Sequence, residues 1–200
     1  IGDLSDRDAL IRAMDGIDAV YYIAPNMSLD EKTHGAKTSA SARRRASRLA
    51  AVQASYQLTL NHGTADDAEV EDAIIEFLTH RPGAELPEDA YAEVDNDLFS
   101  DLVRGTHRHH GQLVDILDAV LPQRWKFVRL DRILAEILGC ATYELSHRPD
   151  VPVAVIINEY VEITKAFYEG DEIGFINGVL QEVAQNLRAE EVLEHKNERA

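Results

Sequence analysis

Residues 130–167 read LDRILAEILGCATYELSHRPDVPVAVIINEYVEITKAF, and they hold the most regular apolar periodicity of the chain. In the first half, apolar side chains recur every three to four residues, which lines one side of an α-helix and does not fit a strand. They are Leu130, Ile133, Leu134, Ile137, Leu138, Ala141 and Leu145. This spacing predicts a core helix.

A break follows at residues 147–152, where the sequence is HRPDVP. We predict that Asp150 caps the next helix and that Pro152 fits in its first turn, where the backbone needs no donor. Apolar side chains then recur at Ile156, Tyr160, Ile163 and Phe167. Gly170 marks the start of a third helix, whose apolar positions are Ile176, Val179, Leu180, Val183 and Leu187. The block therefore predicts three helices in tandem.

Helical periodicity also fills the chain upstream of this block. A first helix is predicted to begin near Ala42, with Ser39 or Ser41 as its cap. Three more helices are predicted, over residues 65–79, 86–105 and 113–121. Together with the three C-terminal helices, they predict an all-α bundle of about seven helices.

The sequences of two stretches resemble those of a known family. RLDRILAEILGCATYELSHRPDVPVAVIINEYVEITKAF, followed by GFINGVL, closely resembles the C-terminal half of the NusB family, the bacterial transcription antitermination factors that bind RNA. Upstream, ARRRASRLAAVQASYQL resembles the arginine-rich opening and first helix of the same family. The two stretches cover most of residues 37–188, with a divergent middle. The resemblance implies a NusB-like bundle.

This resemblance implies an RNA-contacting surface on the first helix. Alignment on the phrase VQASY places three arginines at the basic RNA-contacting positions of the family, and two further cations lie nearby. The three are Arg44, Arg45 and Arg48, and the two are Lys37 and Arg43. Cations are unfavourable at the positive end of a helix dipole, by roughly 0.3–1 kcal/mol each. Their placement therefore favours use by a ligand over a merely solvated basic surface.

A second group of candidates lies around the start of the third C-terminal helix. Phe167, Asp171 and Phe175 match the loop and helix start that lie beside the RNA in the family, so the resemblance implies that they bind RNA. The alternative interpretation is that both aromatic side chains belong to the core and that Asp171 caps the helix. Tyr56 matches the tyrosine that ends the VQASY phrase, and we predict that it contacts a protein partner. Ser55 departs from the family, which usually has leucine there.

The resemblance also implies a mechanism and partners. NusB proteins bind the boxA segment of nascent RNA together with NusE, a small-subunit ribosomal protein that also acts in antitermination. The pair then joins the RNA polymerase antitermination complex and suppresses termination, notably in rRNA operons. We therefore expect boxA RNA, NusE and the polymerase complex as partners.

The charge of the chain is unevenly distributed. Its formal net charge is -16, which by itself argues against binding a polyanion. However, residues 33–60 contain five cations and no acid, whereas residues 61–101 contain thirteen acids and one cation. Because charges are screened over about 8 Å at physiological salt, the two regions act separately. The basic segment can therefore bind RNA.

The sequence offers no motif for catalysis, a cofactor or a metal. It has no phosphate-binding glycine loop, no HExxH and no nucleophile elbow. His107, His109 and His110 do not provide the three or four converging ligands of a zinc site, which favours a solvated cluster. Cys140 is the only cysteine, and we predict that it is a packed thiol. We therefore expect a protein that is not an enzyme.

Membrane and export signals are not found in the sequence. No apolar run approaches the roughly 18 residues of a membrane span. Residues 1–12 also lack the charged start and continuous apolar core of a secretory leader. These observations predict a cytoplasmic protein that does not enter a membrane.

The two ends of the chain differ from the helical domain, which we place at residues 42–188. Residues 1–32 resemble a fragment of an NmrA-like NAD(P)-binding protein, without the glycine-rich turn that would hold the cofactor, and are predicted to be a non-functional appendage. Residues 33–41 are small and polar, as expected of a flexible linker. Residues 189–200 form a charged tail that is predicted to fray into solvent.

Two other functions remain open at this point. Some rRNA cytosine methyltransferases carry a NusB-like RNA-binding domain before their catalytic domain, an interpretation that requires this sequence to be a fragment. The chain could also be a non-catalytic helical module for protein interaction, which failure to bind RNA would favour.

Overall fold

A computed structural model describes residues 39–62, 65–79, 94–121 and 126–197 of the chain. Every regular element in these residues is helical, which confirms the predicted all-α fold. The α-helices are α1 (Ala40–His62), α2 (Asp67–Thr79), α3 (Asn96–Arg108), α4 (His110–Val120), α5 (Arg132–His147), α6 (Val153–Phe167), α7 (Asp171–Leu187) and α8 (Ala189–Asn197). A short 3-10 helix, Phe127–Arg129, precedes α5. The predicted appendage, Lys37 and the start of the helix predicted from Leu86 lie outside the described residues.

Helix α1 runs through the middle of the fold. Its first turn is capped by Ser39, whose hydroxyl oxygen accepts a hydrogen bond from the Ala42 N–H at 3.2 Å, as predicted. Leu49 and Val52 belong to one buried cluster, which is centred on α5, α6 and α7. Ala51 and Ala54 belong to a second cluster, which joins α1 to α2 and α3. Helix α1 therefore contributes to both halves of the core.

Helix α5 is the most completely buried element, as its apolar stripe predicted. Asp131 caps it by accepting a hydrogen bond from the Ile133 N–H at 3.0 Å. From Ile137 to Leu145 every side chain is buried, including the polar groups of Thr142 and Glu144. A helix that is buried on all sides lies between other elements and is not an edge of the bundle.

The predicted capping role of Asp150 is wrong. Helix α6 begins after Pro152, which occupies the N-cap position without a side-chain hydrogen bond. Asp150 instead accepts two hydrogen bonds from the Arg148 guanidinium, each at 3.1 Å. Arg148 also donates to Asp101 of α3 at 3.1 Å. A guanidinium that can bridge two carboxylates outcompetes the backbone N–H groups for Asp150 because charge-assisted hydrogen bonds are stronger.

The segment after Arg188 was predicted to fray, but it forms helix α8. The carboxylate of Glu191 accepts a hydrogen bond from the Val153 N–H at 2.8 Å, which supplies a partner to the first turn of α6. Glu191 also forms an ion pair with Arg188. These contacts join the start of α8 to α6, and a weakly periodic sequence could not show them.

Cys140 is a packed thiol, as predicted. Its side chain is fully buried, and its sulfur lies 4.0 Å from the Ser55 hydroxyl oxygen across the contact between α5 and α1. Burial raises the pKa of the Cys140 thiol to about 12, so the thiol stays protonated at neutral pH. Ser55 is buried as well, and its contact with the thiol gives its hydroxyl a polar neighbour where an alkyl side chain was expected.

Two helical glycines differ in the room available for a side chain. A Cβ atom at Gly105 would lie 1.9 Å from Cζ of Tyr143, so α3 and α5 approach closely only because this residue is glycine. At Gly178, by contrast, an added Cβ atom would meet no atom within 4 Å. Packing against a neighbouring element therefore does not require glycine at position 178.

We expect Gly178→Ala to raise the free energy of unfolding by about 1 kcal/mol, because alanine restricts the unfolded chain and fits the helix. We expect Gly105→Ala to lower it by about 1–3 kcal/mol, because the Tyr143 ring must move. Urea unfolding followed by circular dichroism measures both. A destabilised Gly178→Ala variant would contradict the open space observed there.

Candidate nucleic-acid interface

The predicted arginines of α1 do not form one cluster. Successive residues of an α-helix point about 100° apart, so neighbouring arginines face different surroundings. Arg44 is exposed, and we find no ion pair for it among the described residues. Arg43 and Arg45 are partly buried, and Arg48 is buried. Lys37 lies outside the described residues.

Arg45 forms a bidentate ion pair with Glu159 of α6. Its Nε and Nη2 atoms donate to the two carboxylate oxygens at 3.0 and 2.9 Å. The hydrogen bonds to Glu159 raise the pKa of the Arg45 guanidinium, with the nearby charge of Glu162 adding to the effect. The Arg45 side chain is still 40% exposed, whereas that of Glu159 is 11% exposed. A ligand could therefore reach Arg45 without displacing Glu159.

Arg48 forms a similar pair with Glu144 of α5, but in the core. Its Nε and Nη2 atoms donate to the carboxylate at 2.9 and 2.5 Å, and the Tyr160 hydroxyl donates to the same carboxylate at 3.1 Å. The side chains of Arg48 and Glu144 are only 2% and 0% exposed. Burial lowers the pKa of Arg48, but the hydrogen bonds and charge of Glu144 outweigh it, so the pKa is raised. The pair is charged and fully enclosed.

The burial of Arg48 removes it from the surface on which RNA contact was predicted. A phosphate cannot approach a guanidinium that is enclosed by α1, α5 and α6. The sequence contained a signal for this: Arg48 lies four residues before Val52, on the same stripe of α1. Glu144 likewise lies three residues after Ala141, on the apolar stripe of α5. Opposite charges on two apolar stripes are a pattern expected for a buried ion pair.

The aromatic candidates lie where α6 ends and α7 begins. Phe167 and Phe175 are partly buried and pack against the larger core cluster, so each has a core face and an exposed part. Asp171 is exposed and is the first residue of α7. Gly170, with φ of 139°, makes the turn between the helices. Glycine adopts this left-handed conformation without a steric penalty.

Tyr168 fixes this turn to the start of α5. Its hydroxyl donates a hydrogen bond to the Asp131 carboxylate, which also caps α5. Burial and this hydrogen bond raise the pKa of Tyr168, and Tyr56 of α1 contributes to the shift. Tyr56 is partly buried, and its electrostatic effect on Tyr168 indicates that it lies near the turn. Sequence analysis did not identify Tyr168.

One basic candidate, Arg45 of α1, contacts the helix that ends in the aromatic candidate Phe167. Arg45 contacts α6 at Glu159, and Phe167 is eight residues further along that helix. At a rise of 1.5 Å per residue, the two positions are about 12 Å apart. Arg45 therefore contacts α6 about two helical turns before Phe167, whereas Arg48 is buried.

A carboxylate links the other end of α1 to α5. Glu136 accepts a hydrogen bond from the Thr59 hydroxyl at 2.8 Å, and Arg132 donates to the Thr59 carbonyl oxygen at 3.0 Å. Burial raises the pKa of Glu136, although the hydrogen bond and the charge of Arg132 oppose the shift. Glu136 thus carries an electrostatic cost when it is ionised in the folded protein.

This cost predicts a pH dependence of stability. The pKa of Glu136 is higher in the folded protein than in the unfolded chain. Glu136 therefore makes its full contribution to stability below the unfolded pKa, and this contribution is lost as the pH rises through the folded pKa. We expect Glu136→Gln to remove this loss, so that its stability relative to wild type increases as the pH is raised from 4.5, the ordinary value of this pKa, toward neutral. Glutamine keeps the carbonyl oxygen that accepts from Thr59. Urea midpoints across this range measure the effect, and exposed Glu182→Gln is the control.

The three predicted histidines differ in exposure: His110 is exposed, whereas His107 and His109 are partly buried. The rings of His109 and His147 lie 4.3 Å apart, and His147 stacks on Tyr143 at 4.7 Å. His109 and His110 do point in different directions, and the His110 ring lies 6.2 Å from that of Phe127. Within the described ranges, no three His, Cys, Asp or Glu side chains are placed to hold a metal ion. Nor is any described helix long and apolar enough to cross a membrane.

Comparison with known proteins agrees with this architecture. The NusB family model matches residues 45–185. The chain is 40% identical over 149 residues to the transcription antitermination protein NusB of Rhodopseudomonas palustris, which covers 74% of this chain and 85% of that protein. It is 42% identical over 147 residues to the protein of the same name from Sinorhizobium fredii, with 74% and 89% covered.

A solved structure shows the same fold. The structure of T. maritima NusB has a TM-score of 0.58 and 25% sequence identity to this chain, over 74% of this chain and 96% of that one. The family match also fits the prediction that the chain is not an enzyme. By sequence and by fold, this chain belongs to the NusB family.

Proposed function

We propose that the chain is a transcription antitermination factor that binds boxA RNA together with NusE, joins the RNA polymerase complex and suppresses termination, notably in rRNA operons. Its relatives are named transcription antitermination proteins. The observation that carries the proposal is the pair of accessible arginines, Arg44 and Arg45, at the start of α1 in an otherwise acidic chain. This activity places the protein in the cytoplasm, where the polymerase acts.

The proposed RNA surface has a basic part and an aromatic part. Arg44 and Arg45 contact phosphates, because accessible cations supply the electrostatic part of nucleic-acid affinity. Arg43 and Lys37, which are close to them in sequence, add to this contact. Phe167 and Phe175 offer partly exposed rings on which bases can stack. Asp171 lies at the same turn and accepts hydrogen bonds from the bases.

The proposed role of Arg48 differs from that of the other arginines. It holds α1 against α5 and α6 through Glu144, so it positions the surface without contacting RNA. Tyr56, near the turn between α6 and α7, contributes to the contact with NusE. The protein partner therefore binds beside the aromatic part of the RNA surface.

A titration with boxA RNA and a scrambled control tests the proposal, with and without NusE. We expect preference for boxA and a log–log dependence of affinity on salt with a slope of roughly -2 to -3, at about 0.7 per neutralised phosphate. Arg44→Ala should weaken binding and flatten the slope, whereas Glu182→Gln on α7 should not weaken it. Equal affinity for boxA and scrambled RNA in the presence of NusE would reject the assignment.

A further inference from the structure

Arg45 is held by only one of its two hydrogen-bonding edges. A guanidinium has five N–H donors, and a carboxylate on the Nε side uses one from Nε and one from Nη2. Glu159 occupies this side edge with bonds of 3.0 and 2.9 Å. One N–H of Nη1 and the second N–H of Nη2 form the end edge, and the remaining N–H of Nη1 points toward Cδ. That end edge can pair with two oxygens of a second anion.

Among the described residues, we find no hydrogen bond to this end edge of Arg45. Its side chain is 40% exposed, although Glu159 beneath it is nearly buried. Arg48 makes the same side-on contact with Glu144 and is only 2% exposed, so both of its edges are enclosed. The two pairs share their chemistry and differ in access. Only the outer pair can accept a ligand.

Glu159 is itself firmly placed. It lies on α6 between Ile156 and Ile163, both fully buried, and next to Tyr160, which is also fully buried. Because the Glu159 carboxylate is fixed in position, it restricts the motion of the Arg45 side chain that is bonded to it. Arg44, for which we find no ion pair among the described residues, must lose its side-chain freedom when it binds an anion. Arg45 has lost most of that freedom beforehand.

We propose that Glu159 is a positioning residue for RNA binding, which holds the Arg45 guanidinium with its end edge toward solvent to receive two oxygens of one RNA phosphate. The inference rests on the proposed RNA-binding function. The opposite hypothesis is that Glu159 competes with the phosphate for Arg45. The two hypotheses predict opposite effects of removing the charge of Glu159.

The test is the boxA affinity of Glu159→Gln, measured with NusE present. Glutamine has a similar shape but only one acceptor oxygen, so it cannot hold both donors of the side edge. We expect a threefold to tenfold loss of affinity. The salt slope should stay unchanged because Arg45 keeps its charge. Glu162→Gln is the matched control. It removes the same charge about one turn further along α6, where Glu162 pairs with Lys165. It should not weaken binding.

A second set of variants separates positioning from a general loss of structure. Arg45→Lys should lose about as much affinity as Glu159→Gln although it keeps its charge, because an ammonium group has no second edge, and Arg45→Ala should lose more. In an Arg45→Ala background, Glu159→Gln should have no further effect on affinity. Each variant is checked for its helical signal and unfolding midpoint.

The outcomes separate this inference from the proposed function. Tighter or unchanged binding by Glu159→Gln would overturn the positioning role while RNA binding by wild type stands. An equal loss in the Arg45→Ala background would also overturn it. If wild type with NusE shows no preference for boxA, the proposed function itself fails.

Discussion

Replacing Arg48 with alanine is expected to lower the free energy of unfolding by about 3–5 kcal/mol, because it leaves the Glu144 carboxylate charged and buried without its partner. Glu144 is fully enclosed, and the single hydrogen bond from Tyr160 cannot compensate for a lost guanidinium. A substitution at an exposed arginine lacks this penalty. Arg44→Ala should change stability by no more than about 0.5 kcal/mol.

Chemical unfolding of the two alanine variants, followed by circular dichroism, measures the difference. A double variant, Arg48→Met with Glu144→Leu, should recover much of the loss, since removing both charges leaves no unpaired ion in the core. If Arg48→Ala kept wild-type stability but lost RNA affinity, Arg48 would belong to the RNA contact after all. The experiment thus decides between the two roles of this residue.

The second large effect is expected in RNA binding. We expect the chain to bind boxA RNA weakly alone and about 5-fold to 150-fold more tightly with NusE, the usual range of coupling between two sites. The accessible cations are few, the chain is acidic, and the partly buried rings of Phe167 and Phe175 can stack few bases. A partner that adds RNA contacts supplies the missing affinity.

Thermodynamic linkage between RNA binding and NusE binding provides a quantitative check of this expectation. The factor by which NusE tightens RNA binding must equal the factor by which RNA tightens NusE binding. Calorimetry of all four binding steps measures both factors. Phe175→Ala should weaken RNA binding, whereas Tyr56→Ala should weaken NusE binding. Equal RNA affinity with and without NusE would remove the cooperative mechanism and leave a simple RNA-binding module.

The helical core could be predicted from the sequence because its signals are local. The stripe from Ile133 to Leu145 repeats within one element, and the cap at Ser39 lies three residues from the N–H that it accepts. The burial of Cys140 followed from its place beside that stripe. Such features depend on neighbours in the chain, which the sequence displays directly.

The features that could not be predicted depend on distant partners. Arg48 and Glu144 are 96 residues apart, and Arg45 and Glu159 are 114 residues apart. Asp150 had the position and chemistry of a cap, but Arg148 bridges it to Asp101, which is contributed by α3. The close approach of Gly105 to Tyr143 likewise involves two helices whose packing the sequence does not state. The residues of the proposed RNA surface could therefore be chosen from the sequence, whereas their positions relative to one another could not.

The position of α1 between the two core clusters has a consequence for how the protein opens. Because Leu49 and Val52 belong to one cluster and Ala51 and Ala54 to the other, neither half of the core can separate without disturbing α1. Backbone amides in such an element exchange with solvent through global unfolding and not through local fraying. The N–H groups of residues 49–54 should therefore be among the slowest to exchange deuterium. The helix that presents Arg44 and Arg45 is thus a rigid support before any ligand arrives.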